Sequence, residues 1–544
     1  RQCSRRSKAR IKRSCEKYTL AARAFTKRKP QFGYAMGDPM DQDSDSDVEF
    51  QTSEEDQEAI MQLESALETN PRQMKLHLKL VALLRKCQLA QRLRSARVSL
   101  RELYPLSPEM WQEWLNDETS ALQSKLAALA SGNEVDQEEL EEDQDFTLQL
   151  FEAATAEYLI VDTWLQYLQF VMSLNTASAD NAEDTVSRVR EVGEKALTAA
   201  GLHMSQASRL WDAYRAYEQA LADAGWGGAS QDEKVRNLFQ RQLKVPLVGM
   251  DSTMEAYKAW EATKGNEEVP ANIQQAYDSA VMLLEIRMPL EEMLGAPSAG
   301  EDVVYTAYSA YLKTEEATSD PARISYMFER AVAALPRSEL LWRRYTAYVE
   351  HNIKNPDTIQ SVLQRAARNC YASGAMWARY LRAVERLGMA DDQLDQVYTA
   401  AMENKLKSEE DYIAVILARC DSLRRQGADV MPLLREVFKE GAERLVALNP
   451  QHCDQELRLP AYHAHCEAEL AGDMKAARLV WEEALKASTG RLASTWQAYI
   501  SWERSKRNIQ EARALYRRVY SRKLEGDGQC RGLLQCPHEA GAAA

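Results

Sequence analysis

Apolar positions recur at a helical period from about residue 60 to residue 523, and the recurrence itself repeats along the chain. One element reads Trp-x-x-Tyr-x-x-aromatic. It appears as Trp111/Trp114, Trp164/Tyr167/Phe170, Trp211/Tyr214/Tyr217, Met254/Tyr257/Trp260, Tyr305/Tyr308/Tyr311, Trp342/Tyr345/Tyr348, Trp377/Tyr380 and Trp496/Tyr499/Trp502. Spacings of three and six set these rings along one helix face, a stripe that must be buried. Glu often follows, as at Glu118, Glu218, Glu261 and Glu503.

A second element follows each of these and reads roughly Ala-Arg-x-Val-Phe-x-Arg-Ala-Leu. The best copies are Ala322–Val332, Val235–Leu243, Ala477–Leu485 and Ala512–Val519; weaker ones centre on Phe151, Gly193, Tyr277, Leu363, Tyr398 and Phe438. Small Ala beside a large ring lets two antiparallel helices approach closely, the ring filling the groove between them. The predicted repeat core is therefore anchored by Trp111, Trp164, Trp211, Tyr257, Tyr308, Trp342, Trp377 and Trp496 on first helices. On second helices the anchors are Phe239, Phe328, Tyr398, Trp481 and Tyr516. At this spacing, with Ala-rich partners, the rings read as core and not as platforms for stacking bases.

Trp342 to Trp377, Leu363 to Tyr398 and Trp481 to Tyr516 are each 35 residues apart. That is close to the repeat length of helix–turn–helix solenoids, about 34 residues. Earlier units are longer, with loop composition at Ser131–Asp145, Leu174–Asp184 and Ala222–Ser230. Two units are degenerate on their first helix, near Ile416 and near Pro460. The prediction is an all-α, right-handed helical-hairpin solenoid of about ten units. Pro289, Gly295, Pro297 and Gly300 form its strongest breaker cluster. The expected division is a basic-then-acidic tail (1–59), a first repeat block (60–288), a linker (289–300), a second block (301–524) and a disordered tail (525–544).

Composition agrees. Only 22 Gly and 16 Pro occur in 544 residues, while 28% are charged, which suits long helices. The net charge of −14 argues against indiscriminate binding of a phosphate backbone. Nine cysteines without a C-x-x-C pair give no disulfide framework, as expected of a reducing compartment. No apolar run approaches the ~18 residues that span a bilayer, so no membrane association is expected.

Charge is unevenly placed. Residues 1–29 are strongly basic and read as a solvated tail, compatible with a nuclear-import or anion-binding arm; an acidic tract from Asp38 to Glu58 follows, with Ser44 and Ser46 as phosphoacceptor candidates. A second acidic run, Glu134 to Asp145, reads as a solvated insertion between helices. The stretch Arg504–Lys523 carries Arg504, Lys506, Arg507, Arg513, Arg517 and Arg518 with one acid, Glu511. It reads as a solvated helix face or as a contact for RNA or an acidic protein surface, with Arg343-Arg344 and Arg424-Arg425 as weaker versions.

The Trp-x-x-Tyr helix paired with the Ala-Arg-x-x-Phe-x-Arg-Ala helix resembles the half-a-tetratricopeptide (HAT) repeats of RNA-processing proteins. Longer strings are similar to those of the family's spliceosomal recycling factors: Leu103-Tyr104-Pro105-Leu106, Met110 to Leu115, Gly201-Leu202-His203-Met204, Leu238 to Leu243 and Asp320 to Ile324. The resemblance implies a nuclear scaffold, at Cajal-body-like sites, that helps small nuclear RNPs to be used again. It implies small nuclear RNP proteins and ubiquitin-specific proteases as partners, and a homodimer through the second block. No RNA-recognition-motif string occurs, so RNA contact is expected to be indirect. A HAT scaffold of cleavage–polyadenylation or of spliceosome core assembly stands as the alternative.

Catalytic chemistry has no motif to stand on. There is no phosphate-binding Gly-rich loop, nucleophile elbow or His-Glu-x-x-His helix, and neither enzyme activity nor a cofactor is expected. His203 reads as a capping or packing residue. His452, Cys453, His463, His465 and Cys466 are the one group that invites a zinc reading. On a helix, however, His463 and His465 diverge by about 200°, so no metal site is expected.

Overall fold

The computed structural model describes residues 53–520 apart from 132–134, 175–181, 267, 296–299, 451–453 and 455. Ser44, Ser46, His452, Cys453, Arg522, Lys523 and the tail from 525 lie outside the described residues. Among the described residues there are twenty-three α-helices and no strand. A leading helix α1 (Glu54–Thr69) is followed by eleven antiparallel hairpins. The first four are α2 (Met74–Lys86) with α3 (Ala90–Leu103), α4 (Pro108–Ala130) with α5 (Gln137–Glu157), α6 (Val161–Leu174) with α7 (Ala182–Ala200), and α8 (Ala207–Asp223) with α9 (Ala229–Gln242). Then come α10 (Met250–Thr263) with α11 (Ala271–Leu294), α12 (Glu301–Thr318) with α13 (Pro321–Ala334), and α14 (Glu339–Asn352) with α15 (Pro356–Asn369). The last four are α16 (Gly374–Arg386) with α17 (Asp391–Glu403), α18 (Glu409–Gln426) with α19 (Met431–Leu448), α20 (Arg458–Glu469) with α21 (Met474–Lys486), and α22 (Ala493–Ser505) with α23 (Ile509–Tyr520).

The hairpin without a predicted first element is α2/α3. His77 stands at the tryptophan position of α2: it is buried, and its Nε2 lies 2.8 Å from the Pro71 carbonyl, six residues back. The indole N–H of Trp342, Trp377 and Trp496 donates to the carbonyl six residues back in the same way, at 2.7, 2.9 and 2.9 Å. A ring with an N–H at this point closes the turn before these four first helices, satisfying a carbonyl that burial would otherwise strand.

Three boundaries differ from the sequence reading. Residues 54–59 are helical: Ser53 caps α1 by accepting from the Asp56 N–H, and Glu54, Glu55 and Asp56 sit on the positive end of the helix dipole. From Gln137 onward the acidic run is helical, α5 starting there on an Asp136 cap. Its Asp143 bonds Arg94 at 2.9 Å and Lys125 at 2.7 Å. Pro289 does not end α11, which continues to Leu294.

Candidate functional site: junctions and surfaces of the repeat array

All thirteen predicted anchors are buried, each at 9% exposure or less. The second-helix ring does more than fill its own hairpin. Phe151 stacks on Tyr167, Phe328 on Tyr345 and Trp481 on Tyr499, with centroids 5.0, 5.0 and 5.4 Å apart. In every case the tyrosine belongs to the first helix of the following hairpin, so the ring is the mortar between units. Where Gly193 replaces the ring, Tyr214 fills the space; a Cβ on Gly193 would stand 2.8 Å from that tyrosine.

Beside each such ring lies a charge pair or an uncharged substitute. Arg94–Glu118, Arg190–Glu218, Arg236–Glu261, Arg287–Glu315, Arg435–Glu467 and Arg478–Glu503 are bidentate, with Nε and Nη2 at 2.5–3.3 Å from the two carboxylate oxygens. The arginine comes from a second helix and the glutamate from the next first helix. Every one of these glutamates is buried, and a fork-to-fork arginine is what makes a buried carboxylate tolerable. Three other junctions lack both charges. There Leu148, Ser325 and Gln360 take the arginine's place, and Val171, Val349 and Val384 the glutamate's. Arginine and glutamate come and go together because either alone would be a buried unpaired charge.

Charge compensation also sets the acidity of these groups. Burial raises the pKa of Glu218, Glu261, Glu291 and Glu315, and the hydrogen bonds and charges of their arginines more than reverse it, holding all four below the usual value. For Glu467 the hydrogen bond from Arg435 is the largest influence, in the same direction. His203 packs edge-on against Tyr326, 6.3 Å between centroids. Burial first, and then the Arg330 charge, push its pKa down to about 4.

The first and later hairpins meet directly. Tyr158 Oη donates to Asn369 Oδ1 at 2.8 Å, and Arg365 Nη1 donates to the Glu157 carbonyl at 2.9 Å. Arg368 Nη2 donates to the Arg101 carbonyl at 2.6 Å, and Tyr104 meets Tyr371 edge-on at 5.7 Å. Arg72 reaches Asn404 at 3.2 Å and pairs with Glu403. These contacts tie α3, the α5 end and the turn before α2 to α15–α17. Nothing in the local pattern of the sequence announced them.

The family model for the PRP39 N-terminal HAT repeat matches residues 61–259, and that for the PRP39 C-terminal HAT repeat matches 300–425. The chain belongs to the HAT-repeat family. It is similar to spliceosome associated factor 3, U4/U6 recycling protein, of Homo sapiens: 31% identity over 497 residues, 89% of this chain and 48% of the relative. The Mus musculus protein of that name is 30% identical over 489 residues, 87% of this chain and 47% of the relative. This HAT chain thus spans about half the length of the curated relatives it matches. More distantly, the mRNA 3′-end-processing protein RNA14 of Eremothecium gossypii is 20% identical over 322 residues, 53% of this chain and 45% of that one.

Of the predicted basic contact residues, Arg504, Arg507, Arg513, Arg517 and Arg518 of the HAT array's last hairpin are exposed. Lys506 pairs with Glu469, and Arg518 holds Glu482 bidentately at 2.6 and 2.9 Å. His463 stacks on Phe438 at 4.5 Å with Nε2 3.4 Å from Glu467, while His465 lies against Tyr462. Among the described residues no three His, Cys, Asp or Glu side chains are grouped to hold a metal ion. No helix among them is long and apolar enough to cross a membrane.

Proposed function

We propose that this HAT array is a nuclear scaffold for small nuclear RNP recycling in pre-mRNA splicing, acting without chemistry of its own. It holds small nuclear RNP proteins and a ubiquitin-specific protease on its repeat surfaces and pairs with a second copy through its second block. RNA is reached through those partners. The benefit is effective concentration: two partners on one rigid array meet far more often than free ones. The observation that carries the reading is the similarity to a U4/U6 recycling protein across 89% of the chain, well beyond the span of one repeat.

Affinity capture from nuclear extract, with and without RNase and read by mass spectrometry, tests it. RNase-resistant recovery of small nuclear RNP proteins with a ubiquitin-specific protease is the expected result. Recovery of cleavage-factor subunits instead would move the array to mRNA 3′-end processing, the reading favoured by the likeness to RNA14. Sedimentation equilibrium tests the self-association: a mass of twice 61.7 kDa is expected, and a monomer at tens of micromolar would overturn that part.

A further inference from the structure

Three consecutive first helices, α14, α16 and α18, border a groove of about 880 Å³. Its walls carry five arginines, Arg343, Arg379, Arg382, Arg386 and Arg425, on a chain whose net charge is −14. Two carboxylates share the groove. Glu350 is held by Arg379 at 2.8 Å and also by Arg386, and Glu385 is held by Arg425 through two hydrogen bonds of 2.7 Å. Five cations against two anions leave a surplus of three. Arg343 and Arg382 are exposed and, among the described residues, form no ion pair. Glu339, one turn from Arg343 on α14, is itself bonded to Lys407 at 3.0 Å. Between the arginines the lining is apolar, with Ala375, Ala378 and Ala414 beside Met376.

We infer that this groove binds an extended acidic peptide of a protein partner. Arg343 and Arg382, on successive first helices, together with the surplus charge where Arg379 and Arg386 share Glu350, match carboxylates spaced along a strand-like segment, and arginine is the cation best shaped for bidentate capture of carboxylates. The alanines let a peptide backbone lie close. Single-stranded RNA fits less well: no aromatic ring lines the groove for bases to stack on, and Glu350 and Glu385 repel an unbroken row of phosphates. The inference rests on the groove's own charges and stands whichever RNA-processing assembly the array serves.

Fluorescence anisotropy on the whole chain tests it, with a labelled peptide of four Asp residues spaced by Ser and Gly as probe. The peptide is expected to bind, with affinity falling as salt rises. The double variant Arg343→Glu/Arg382→Glu is expected to weaken it at least about tenfold, because two attractive contacts become repulsive. Neither arginine holds an internal ion pair, so the variant's thermal melt is expected to match the wild type. A peptide with benzophenone at its centre gives a second reading on the unmodified chain, with cross-links expected on α16 or α18. Absence of binding, equal affinity in the variant, or cross-links confined to other helices would overturn the proposal. So would tighter, variant-sensitive binding of oligouridylate, which would make the groove a nucleic-acid site.

Discussion

Arg287 closes on Glu315 with Nε–Oε1 2.6 Å and Nη2–Oε2 3.1 Å, and neither side chain is more than 3% exposed. The pair joins α11 to α12 across residues 295–300, where the breaker cluster marked a block boundary. The junction there is built like those within the blocks, and Arg330 of α13 adds a second tie by reaching back to Glu291 of α11 at 2.5 and 2.8 Å. Glu315→Ala leaves Arg287 buried without its counter-charge and is expected to cost about 3–5 kcal/mol in urea unfolding. Arg287→Met with Glu315→Leu, which removes both members of the buried pair and breaks only the further bond from Arg323 of α13 to Glu315, is expected to lose less. Equal losses in the two would show that the pair is not the source of the effect.

Acid should loosen the array in two steps. A carboxylate held below its ordinary value of 4.5 contributes stability that is complete above that value and is lost as pH falls through its lowered pKa; Glu218, Glu261, Glu291, Glu315 and Glu467 all act this way. His203 acts earlier. It titrates near 6.5 when unfolded and at about 4 when folded, so stability declines as pH falls from 6.5 toward 4, by up to roughly 3 kcal/mol. His203→Gln should remove that part of the slope between pH 7 and pH 5, read from urea midpoints. An unchanged slope would count against a neutral, packed His203.

Trp342 is fully buried, donates to the Pro336 carbonyl and lies beside Tyr345. Trp342→Ala is expected to cost about 3–5 kcal/mol by opening a cavity at the α13–α14 junction. An unchanged calorimetric melt would mean that this ring does not hold the unit.

The seam between early and late hairpins is open to a conservative test. Tyr158→Phe keeps the ring and removes only the hydroxyl that donates to Asn369. The expected loss is about 1–2 kcal/mol, with faster amide exchange in α15 and α16 and little change in α22 and α23. Uniform exchange changes along the array would argue that the seam is not a local tie.

The repeat pattern was legible because it is local. Rings three and six apart on one helix, and a 35-residue return, are properties of short stretches, so the hairpin architecture and the buried anchors could be named from order alone. The glutamates were visible too, at Glu118, Glu218, Glu261 and Glu503. Their reason was not, because the arginine that neutralises each lies 24 to 28 residues earlier, on a helix of the preceding unit. His77 was missed since it shares with tryptophan only a ring N–H, the one property its position uses.

What the sequence determined by itself was the unit: two amphipathic helices, their mutual face and their repetition. What only the tertiary structure decided was how the units accumulate. Tyr158 meets Asn369 from 211 residues away, and Arg72 meets Asn404 from 332. Such meetings depend on the small rotation added at every junction, summed over several hairpins. No single junction carries that sum in its residues, so the seam exists only once the hairpins between its two sides are assembled, and the arginine groove only once three neighbouring hairpins are stacked.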